Sequence, residues 1–282
     1  MGVVYLGHHD SLDRDVAIKV MHAHMWGKAE YAAVMARTRQ LQPAYEAYDE
    51  GRKALGEKKL DVATAKAEEA LKLFNGEAHF HALRGDIRLV EDNYDWAVTN
   101  YSRAIDRRDN FFYYHLQRGL ARKELGQRDA AVADLERSLA LLPTAPAHYA
   151  LGDLARERGD LPAAIGHYKI VANSGGEYGK AAAAQVARLE LPTNPGAYIP
   201  LACSADDSGN LIVSIRNDAA VTVYDIQIAV SYTDAYGRQG QRRLSIGRRV
   251  APGEIASVNS GIGPYTAGSS CPAQVVAAQV ED

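Results

Sequence analysis

The side chains best suited to metal binding in this 282-residue chain are nine histidines. Two pairs are each separated by one residue, His22 with His24 and His79 with His81. Side chains two residues apart on a helix do not face each other, so neither pair favours a shared metal ion. No His-Glu-x-x-His motif occurs. We therefore predict no metal site and no cofactor, and we expect the histidines at the surface or in a groove.

Nucleophilic chemistry has no better support. Neither of the two cysteines, Cys203 and Cys271, has a histidine or a helix start nearby in the sequence. A Gly-x-Ser-x-Gly elbow and a phosphate-binding Walker loop are both missing. Two cysteines are too few for a zinc site, which leaves buried thiols or one disulfide as alternatives. We predict that this chain is not an enzyme.

The first twenty residues carry one motif with a chemical meaning. Residues 1–7 and 13–19 resemble the second and third strands of a bacterial Ser/Thr protein kinase. The resemblance implies that Gly2 ends a glycine-rich loop, Val4 touches adenine and Lys19 holds the α- and β-phosphates. Because no His-Arg-Asp loop and no Asp-Phe-Gly follow, we interpret residues 1–27 as a kinase-like fragment without an ATP site. The alternative is a kinase-derived regulator that binds nucleotide weakly.

Charge and hydropathy exclude two kinds of partner. A formal net charge of −3 provides no basic surface for nucleic acid. We also expect no membrane insertion, because no apolar run reaches the roughly 18 residues that a spanning helix needs. The first residues lack the charged and apolar regions of a secretory signal, so a cytoplasmic location is one expectation.

Any binding residues must be positioned by a sequence repeat of about 34 residues. Gly51, Gly85 and Gly119 are 34 residues apart, Gly152 follows 33 residues later, and each has an alanine twelve residues on. This period is typical of tetratricopeptide repeats, which are stacked helix pairs that bind other proteins. We set the repeats at 44–77, 78–111, 112–145 and 145–178, and we number repeat positions from these first residues.

Within each repeat, small residues predict where the paired helices approach. Glycine at position 8 and alanine at position 20 allow the two helices to come into close contact. A bulky side chain at position 24 fills the space between repeats; it is Tyr101, Leu135 or Tyr168 in the last three repeats, whereas the first repeat has Ala67. Three of the four turns between paired helices carry a glycine for a left-handed cap. These glycines are Gly56, Gly126 and Gly159.

The composition predicts three segments: a fragment at 1–27, a solenoid of four repeats with flanking helices at 28–190, and a β domain at 197–282. Pro192 and Pro195 end the helical part. Alternation over 224–232, with further strands at 211–215, 244–250, 255–258 and 275–280, predicts a small antiparallel β-sandwich, immunoglobulin-like. The fold class is therefore multidomain and mainly α.

The concave surface of such repeats is built from positions 2, 5, 9, 12 and 13 of each first helix. Its aromatic and charged residues suit a protein or peptide partner, and the chain's own neighbouring domain is the alternative occupant. A carboxylate clamp is not matched, since the ninth positions are Arg52, Asp86, Leu120 and Asp153. The predicted groove residues are Tyr45, Tyr48, Arg52, Asp86, Tyr113, Lys123, Tyr149, Asp153 and Arg156.

From about residue 43 onward the chain resembles the C-terminal, repeat-containing half of bacterial envelope zinc metallopeptidases of the β-barrel assembly-enhancing protease type. The stretches that carry the resemblance are 45–55, 80–86, 113–119, 134–152 and 189–195. In that family a separate front part holds the zinc, and no residue here is assigned as a ligand. The resemblance implies a periplasmic or envelope location, where a Cys203–Cys271 disulfide could form, and a peptidase domain as partner. Taken together, the sequence predicts a non-catalytic interaction scaffold that docks or presents partners for an envelope metalloprotease.

Overall fold

The computed structural model describes residues 3–9, 14–20, 28–233, 236–265 and 270–281. The chain divides into two compact units, Met1–Pro143 and Thr144–Asp282. This division falls inside the segment 28–190, for which the sequence predicts one solenoid. The limits of 1–27, 28–190 and 197–282 stay predictions.

The first unit consists of a strand pair and three helix pairs. Its elements are β1 (Val3–His9), β2 (Arg14–Val20), α1 (Lys28–Gly56), α2 (Leu60–Leu73), α3 (Ala78–Val90), α4 (Tyr94–Arg107), α5 (Phe112–Glu124) and α6 (Arg128–Leu141). The pairs α1 with α2, α3 with α4 and α5 with α6 pack together and correspond to the first three of the four predicted repeats. The chain therefore contains helix hairpins with the spacing of tetratricopeptide repeats.

Helix α1 is longer than the sequence pattern predicts. The sequence predicts a flanking helix before the first repeat, which begins at residue 44, whereas α1 runs unbroken from Lys28 to Gly56 with Pro43 inside it. Proline removes one helical hydrogen bond and bends the helix, yet the residues on both sides can remain helical.

The glycine at position 8 of a repeat faces the side chain at position 24. A Cβ atom on Gly85 would lie 2.8 Å from the ring of Tyr101, and one on Gly119 would lie 2.9 Å from Cγ of Leu135. Both distances are shorter than carbon atoms tolerate, so only glycine fits without a shift of the helices. The first repeat has Ala67 at position 24, and there the Leu83 side chain lies 3.1 Å from the Cβ position of Gly51.

The turn inside each repeat has a left-handed residue at position 15. This residue is Gly126 (φ +70°) in the third repeat and Gly159 (φ +79°) in the fourth, as predicted. In the first repeat the left-handed residue is Lys58 (φ +59°), and the prediction that Gly56 occupies this place was wrong, because Gly56 still belongs to α1. The second repeat uses Asp92 (φ +54°), which the sequence analysis did not identify.

The second unit begins with three helices, α7 (Ala145–Glu157), α8 (Leu161–Ala172) and α9 (Gly176–Glu190). Ala164 and Tyr168 of α8 form a core with Ala182 and Val186 of α9. Helix α9 thus covers the apolar face of the fourth helix pair.

A β part follows a short 3-10 helix at Pro195–Ala197. Its strands are β3 (Leu201–Ala205), β4 (Leu211–Arg216), β5 (Val223–Thr233), β6 (Gln239–Ile246), β7 (Ile255–Asn259) and β8 (Ala273–Val280). They form two antiparallel sheets in the orders β3-β4-β7 and β6-β5-β8. Both sheets contribute to one hydrophobic core, for example through Val213 of β4 and Ile228 of β5. The described chain is therefore mainly α with a β part.

Two details of the β part differ from the sequence prediction. Strand β6 ends at Ile246, and Val250, predicted as its end, forms only an isolated bridge with Val223. The alternation along β5 breaks where the pairing with β8 shifts between Tyr224 and Gln227, at Asp225 (φ +48°). A bulge of this kind adds one residue and reverses the faces, so Val223 rather than Tyr224 is buried together with Ile226.

Cys203 and Cys271 form a disulfide, with their Cα atoms 5.3 Å apart. Cys203 lies in β3 and Cys271 lies two residues before the start of β8, so the bond connects strands of the two sheets. This decides between the alternatives of buried thiols and one disulfide that the sequence left open.

Candidate functional site

The described part of the first unit contains a pocket of about 250 Å³ between the first helices of its three repeats. Helix α1 contributes residues at positions 5 and 9, α3 at positions 2, 5 and 9, and α5 at position 2. The lining residues are Tyr48, Arg52, His79, Ala82, Leu83, Asp86, Phe111, Tyr113 and Tyr114. Residues about three or four apart share one face of a helix, which explains why these positions converge.

Aromatic rings form the walls of the pocket. The ring centroids of Tyr48 and His79 are 4.7 Å apart in an edge-to-face arrangement, and those of Phe111 and Tyr114 are 4.9 Å apart. The Tyr48 and Tyr114 side chains are almost fully buried, so only the ring surface that faces the pocket is accessible. Such paired rings hold one another in place and leave a preformed cavity.

Asp86 is the acidic residue of the pocket. Its Oδ1 atom accepts hydrogen bonds from the phenol of Tyr101 at 2.5 Å and from the phenol of Tyr113 at 2.7 Å. Burial raises the pKa of Asp86 above its usual value, an effect that outweighs the two phenol hydrogen bonds and the nearby charge of Arg52. The pKa values of Tyr101 and Tyr113 are raised, first by burial and then by the Asp86 charge, so both phenols stay protonated and donate.

Arg52 is the basic residue of the pocket. Its side chain is exposed, and its guanidinium carbon lies 5.8 Å from the centroid of the Tyr48 ring, within the range of a cation–π contact. The site therefore combines aromatic walls with the carboxylate of Asp86 and the exposed guanidinium of Arg52.

The second unit repeats the pairing of tyrosine with aspartate. In the fourth helix pair, the phenol of Tyr168 at position 24 donates to Oδ1 of Asp153 at position 9, over 2.7 Å. Arg156 at position 12 hydrogen-bonds the same phenol oxygen, which raises the pKa of the guanidinium. Burial is the main cause that raises the pKa of Tyr168.

A second polar cluster lies between α5 and α6 and is structural. Arg118 donates through Nε and a terminal nitrogen to both carboxylate oxygens of the buried Asp134, at 2.8 and 2.7 Å. Arg122 donates to Asp134 Oδ2 at 2.8 Å. These charge-assisted bonds connect the two helices of the third repeat and do not belong to the pocket lining.

The histidines correct one expectation of the sequence analysis. His81 and His115 are buried and do not line the pocket, whereas His79, also buried, is one of the lining residues. Nε2 of His81 lies 3.1 Å from the carbonyl oxygen of Asn75, and Nε2 of His115 lies 2.9 Å from that of Asp109. Both histidines occupy position 4, so each bonds the connection from the preceding repeat. Burial lowers the pKa of His81 and favours the neutral ring.

Of the predicted groove residues, four line the pocket: Tyr48, Arg52, Asp86 and Tyr113. Tyr45 stands beside it, with its phenol bonded to Glu77 at 2.7 Å. Lys123 lies in the last turn of α5, outside the lining. Tyr149, Asp153 and Arg156 belong to α7 in the second unit. Phe111, Tyr114 and Leu83 also line the pocket but are not among the predicted groove residues. The available signal was position 34, occupied by Phe111, which adjoins the first helix of the next repeat.

The kinase-like segment forms an antiparallel strand pair. Strands β1 and β2 align in one register in which Val4 lies opposite Lys19. Gly2, which the resemblance assigns to the glycine-rich loop, lies outside the described residues.

No group of three or more metal-ligating side chains occurs in the described ranges. Within the same part of the chain, no helix has both the length and the apolar character to cross a bilayer.

No protein-family model and no curated protein matches the chain. Among solved structures, the chain is similar to MamA protein with 17% identity and a TM-score of 0.47, covering 53% of this chain and 81% of that one. It is also similar to the Arabidopsis OM64 TPR domain, with 24% identity and a TM-score of 0.41, covering 42% of this chain and 98% of that one. A third structure is the second TPR domain of human RPAP3 in complex with an HSP70 peptide, with 24% identity and a TM-score of 0.39, covering 40% of this chain and 95% of that one. At this level of similarity the neighbours assign no family and no ligand to this chain.

Proposed function

We propose that the helical repeats form a non-catalytic module that binds a segment of a protein partner in the pocket of the first unit. The observation that carries this proposal is the convergence of Tyr48, Arg52, Asp86 and Tyr113 from three successive repeats on one cavity. Three successive first helices that contribute residues from positions 2, 5 and 9 make a continuous surface for an extended or helical segment.

The size and chemistry of the pocket favour a protein segment over a small metabolite. Small-molecule sites commonly enclose about 300–1,000 Å³, whereas this cavity of about 250 Å³ suits one anchoring side chain. Tyrosine and arginine are the residue types that contribute most to protein interfaces, because they combine a large contact area with a polar end. The described lining provides tyrosines for such contacts, Tyr48 and Tyr113 among them.

We propose further, from the sequence resemblance, that the partner is a peptidase domain or its substrate in the bacterial envelope. The Cys203–Cys271 disulfide supports an oxidising compartment such as the periplasm. The two sheets with a common core support an immunoglobulin-like β part as the second module. The domain limits 1–27, 28–190 and 197–282 belong to this proposal.

Selection of peptides tests the binding function. We would immobilise the full chain, select from a random peptide library displayed on phage, and measure the affinity of the selected peptides by fluorescence anisotropy. We expect enriched peptides whose affinity falls about tenfold or more in Tyr113→Ala, as an interface aromatic is lost. Tyr94→Ala, which removes a tyrosine bonded to the exposed Asp92, is the matched control. Failure to enrich any peptide, or equal loss in both variants, would contradict the proposal.

A further inference from the structure

We propose that the pocket of the first unit holds a basic side chain, of the lysine type, from the bound partner. This inference rests on the proposed function and names the chemistry that the partner must present. It follows from a comparison of the two tyrosine–aspartate pairs, from the aromatic walls and from the hydrogen bonds of Asp86.

The two pairs have the same construction. In the second repeat, Tyr101 at position 24 donates to Oδ1 of Asp86 at position 9. In the fourth, Tyr168 at position 24 donates to Oδ1 of Asp153 at position 9. The third repeat has leucine at both positions, and the first has Arg52 and Ala67. The tyrosine and the aspartate therefore occur together or not at all in this chain.

The pairs differ in the cation that accompanies them. In the fourth repeat, position 12 is Arg156, and its guanidinium hydrogen-bonds the phenol of the pair. In the second repeat, position 12 is Leu89, which cannot do so, and the cation that acts on Asp86 through its charge is Arg52 of the first repeat. The fourth repeat thus has a cation of its own at position 12, where the second repeat has an apolar side chain. A ligand cation would occupy the corresponding place beside the second pair.

The carboxylate of Asp86 is suited to receive such a cation. Both phenols donate to the same oxygen, Oδ1, whereas an ionised carboxylate has acceptor sites on both oxygens. The lone pairs of Oδ2 suit a compact donor such as an ammonium group better than a bidentate guanidinium. Burial makes the Asp86 charge unfavourable and raises its pKa, and a bound cation would offset that cost.

The walls of the pocket favour a cation as well. The rings of Tyr48, Phe111 and Tyr113 line it, and aromatic faces attract ammonium groups. The exposed Arg52 already places a guanidinium near the Tyr48 ring. Arg52 and the incoming side chain would carry like charges, so the inference predicts that Arg52 opposes binding, whereas a carboxylate ligand would require it.

Side-chain analogues test the inference without a known partner. We would titrate the full chain, at neutral pH and constant ionic strength, with n-butylammonium, 1-butanol or butyrate, and follow the backbone amides by NMR. We expect butylammonium to shift amides of α3 and α5 next to the pocket with an affinity about tenfold above that of butanol, equal to about 1.4 kcal/mol. Butyrate should bind more weakly than both.

Three variants make the test specific. Asp86→Asn should remove the preference for butylammonium, and Arg52→Ala should increase its affinity severalfold. Asp95→Asn, which neutralises an exposed aspartate in the first turn of α4, should leave the affinity unchanged. The amide spectrum of each variant also reports whether it folds.

Equal affinity for butylammonium and butanol, preference for butyrate, or weaker binding in Arg52→Ala would overturn the inference. If selected peptides bind through Tyr113 while butylammonium shows no preference, the proposed function stands and only the inference fails. If butylammonium binds as expected and no peptide is enriched, the inference stands and the partner is not a peptide segment.

Discussion

The phenol of Tyr101 donates a hydrogen bond of 2.5 Å to Oδ1 of Asp86, and this bond joins α4 to the pocket on α3. The ring of the same tyrosine lies against Gly85, the neighbour of Asp86, where no Cβ would fit. One side chain therefore fills the space between two helices and holds the carboxylate at the binding surface. Stability and recognition depend on the same residue.

Removal of that phenol should destabilise the repeat. We expect Tyr101→Phe to lower the free energy of unfolding by about 1–3 kcal/mol, because a part-buried carboxylate loses a donor. Urea unfolding followed by circular dichroism measures the change. The control is Tyr94→Phe, which removes a solvent-exposed hydrogen bond to Asp92. We expect it to change the free energy of unfolding by no more than about 0.5 kcal/mol. Equal changes in the two variants would mean that the Tyr101 phenol contributes nothing beyond its ring.

The charge of Asp86 should make stability depend on pH in a defined direction. Because burial raises its pKa in the folded state, the Asp86 contribution is fully present below the unfolded pKa and is lost as pH rises through the folded pKa. Compared with wild type, Asp86→Asn should therefore gain relative stability between acid and neutral pH. Urea unfolding of both proteins across this range measures the difference, with Asp95→Asn as control. A difference that stays constant with pH would contradict the prediction.

Alanine substitutions at two glycines inside helices should change the free energy of unfolding in opposite directions. Gly119→Ala places a Cβ 2.9 Å from Leu135 and should destabilise by about 1–3 kcal/mol. Gly166→Ala, inside α8, meets nothing within 4 Å and should stabilise by about 0.5–1 kcal/mol, since alanine favours the helix. Thermal unfolding of the two variants measures both changes in stability. Destabilisation by both would show that helix packing does not distinguish the two positions.

Substitutions at two left-handed turn residues should also change the free energy of unfolding in opposite directions. Lys58 carries a side chain at φ +59°, where glycine has no steric penalty, so Lys58→Gly should stabilise by about 1 kcal/mol. Gly126→Ala, at the equivalent position of the third repeat with φ +70°, should destabilise by a similar amount. Denaturant unfolding measures both. If Lys58→Gly destabilised the protein, the cap at position 15 would not be left-handed in the first repeat.

The disulfide should hold the β part together. Replacing both cysteines, Cys203→Ser with Cys271→Ser, should cost about 2–5 kcal/mol, a typical loss for a native disulfide. Hydrogen exchange followed by mass spectrometry should show faster exchange in β3 and β8, the strands next to the bond. The same change should appear in wild type after reduction. Unchanged protection of both strands would contradict a stabilising role.

The repeat architecture of the helices could be predicted from the sequence because it depends on local, periodic requirements. Glycine at position 8, alanine at position 20 and a bulky residue at position 24 mark contacts that recur at a fixed spacing. Helix propensity and sterics set these contacts within one hairpin, so residue types alone reveal them. The same reasoning located most strands of the β part through their alternation.

Features without a residue-type signature could not be predicted. The left-handed residues Lys58 and Asp92 are not glycine, and the break at Asp225 reverses the alternation of β5 without a glycine or proline. In each case the residue has a left-handed backbone conformation, which residue types other than glycine adopt less readily. The buried His81 and His115 belong to the same group, because their partners are backbone carbonyl oxygens.

The sequence by itself determined the helix pairs, the presence of a β part and the residue types available for binding, because these follow from periodicity and composition. Only the tertiary structure decided which of those residues meet. Phe111 and Tyr114 join the pocket with Tyr48, and two phenols converge on Asp86, because helices of neighbouring repeats stack side by side. Contacts between residues that are distant in sequence depend on this stacking, and no local pattern encodes them.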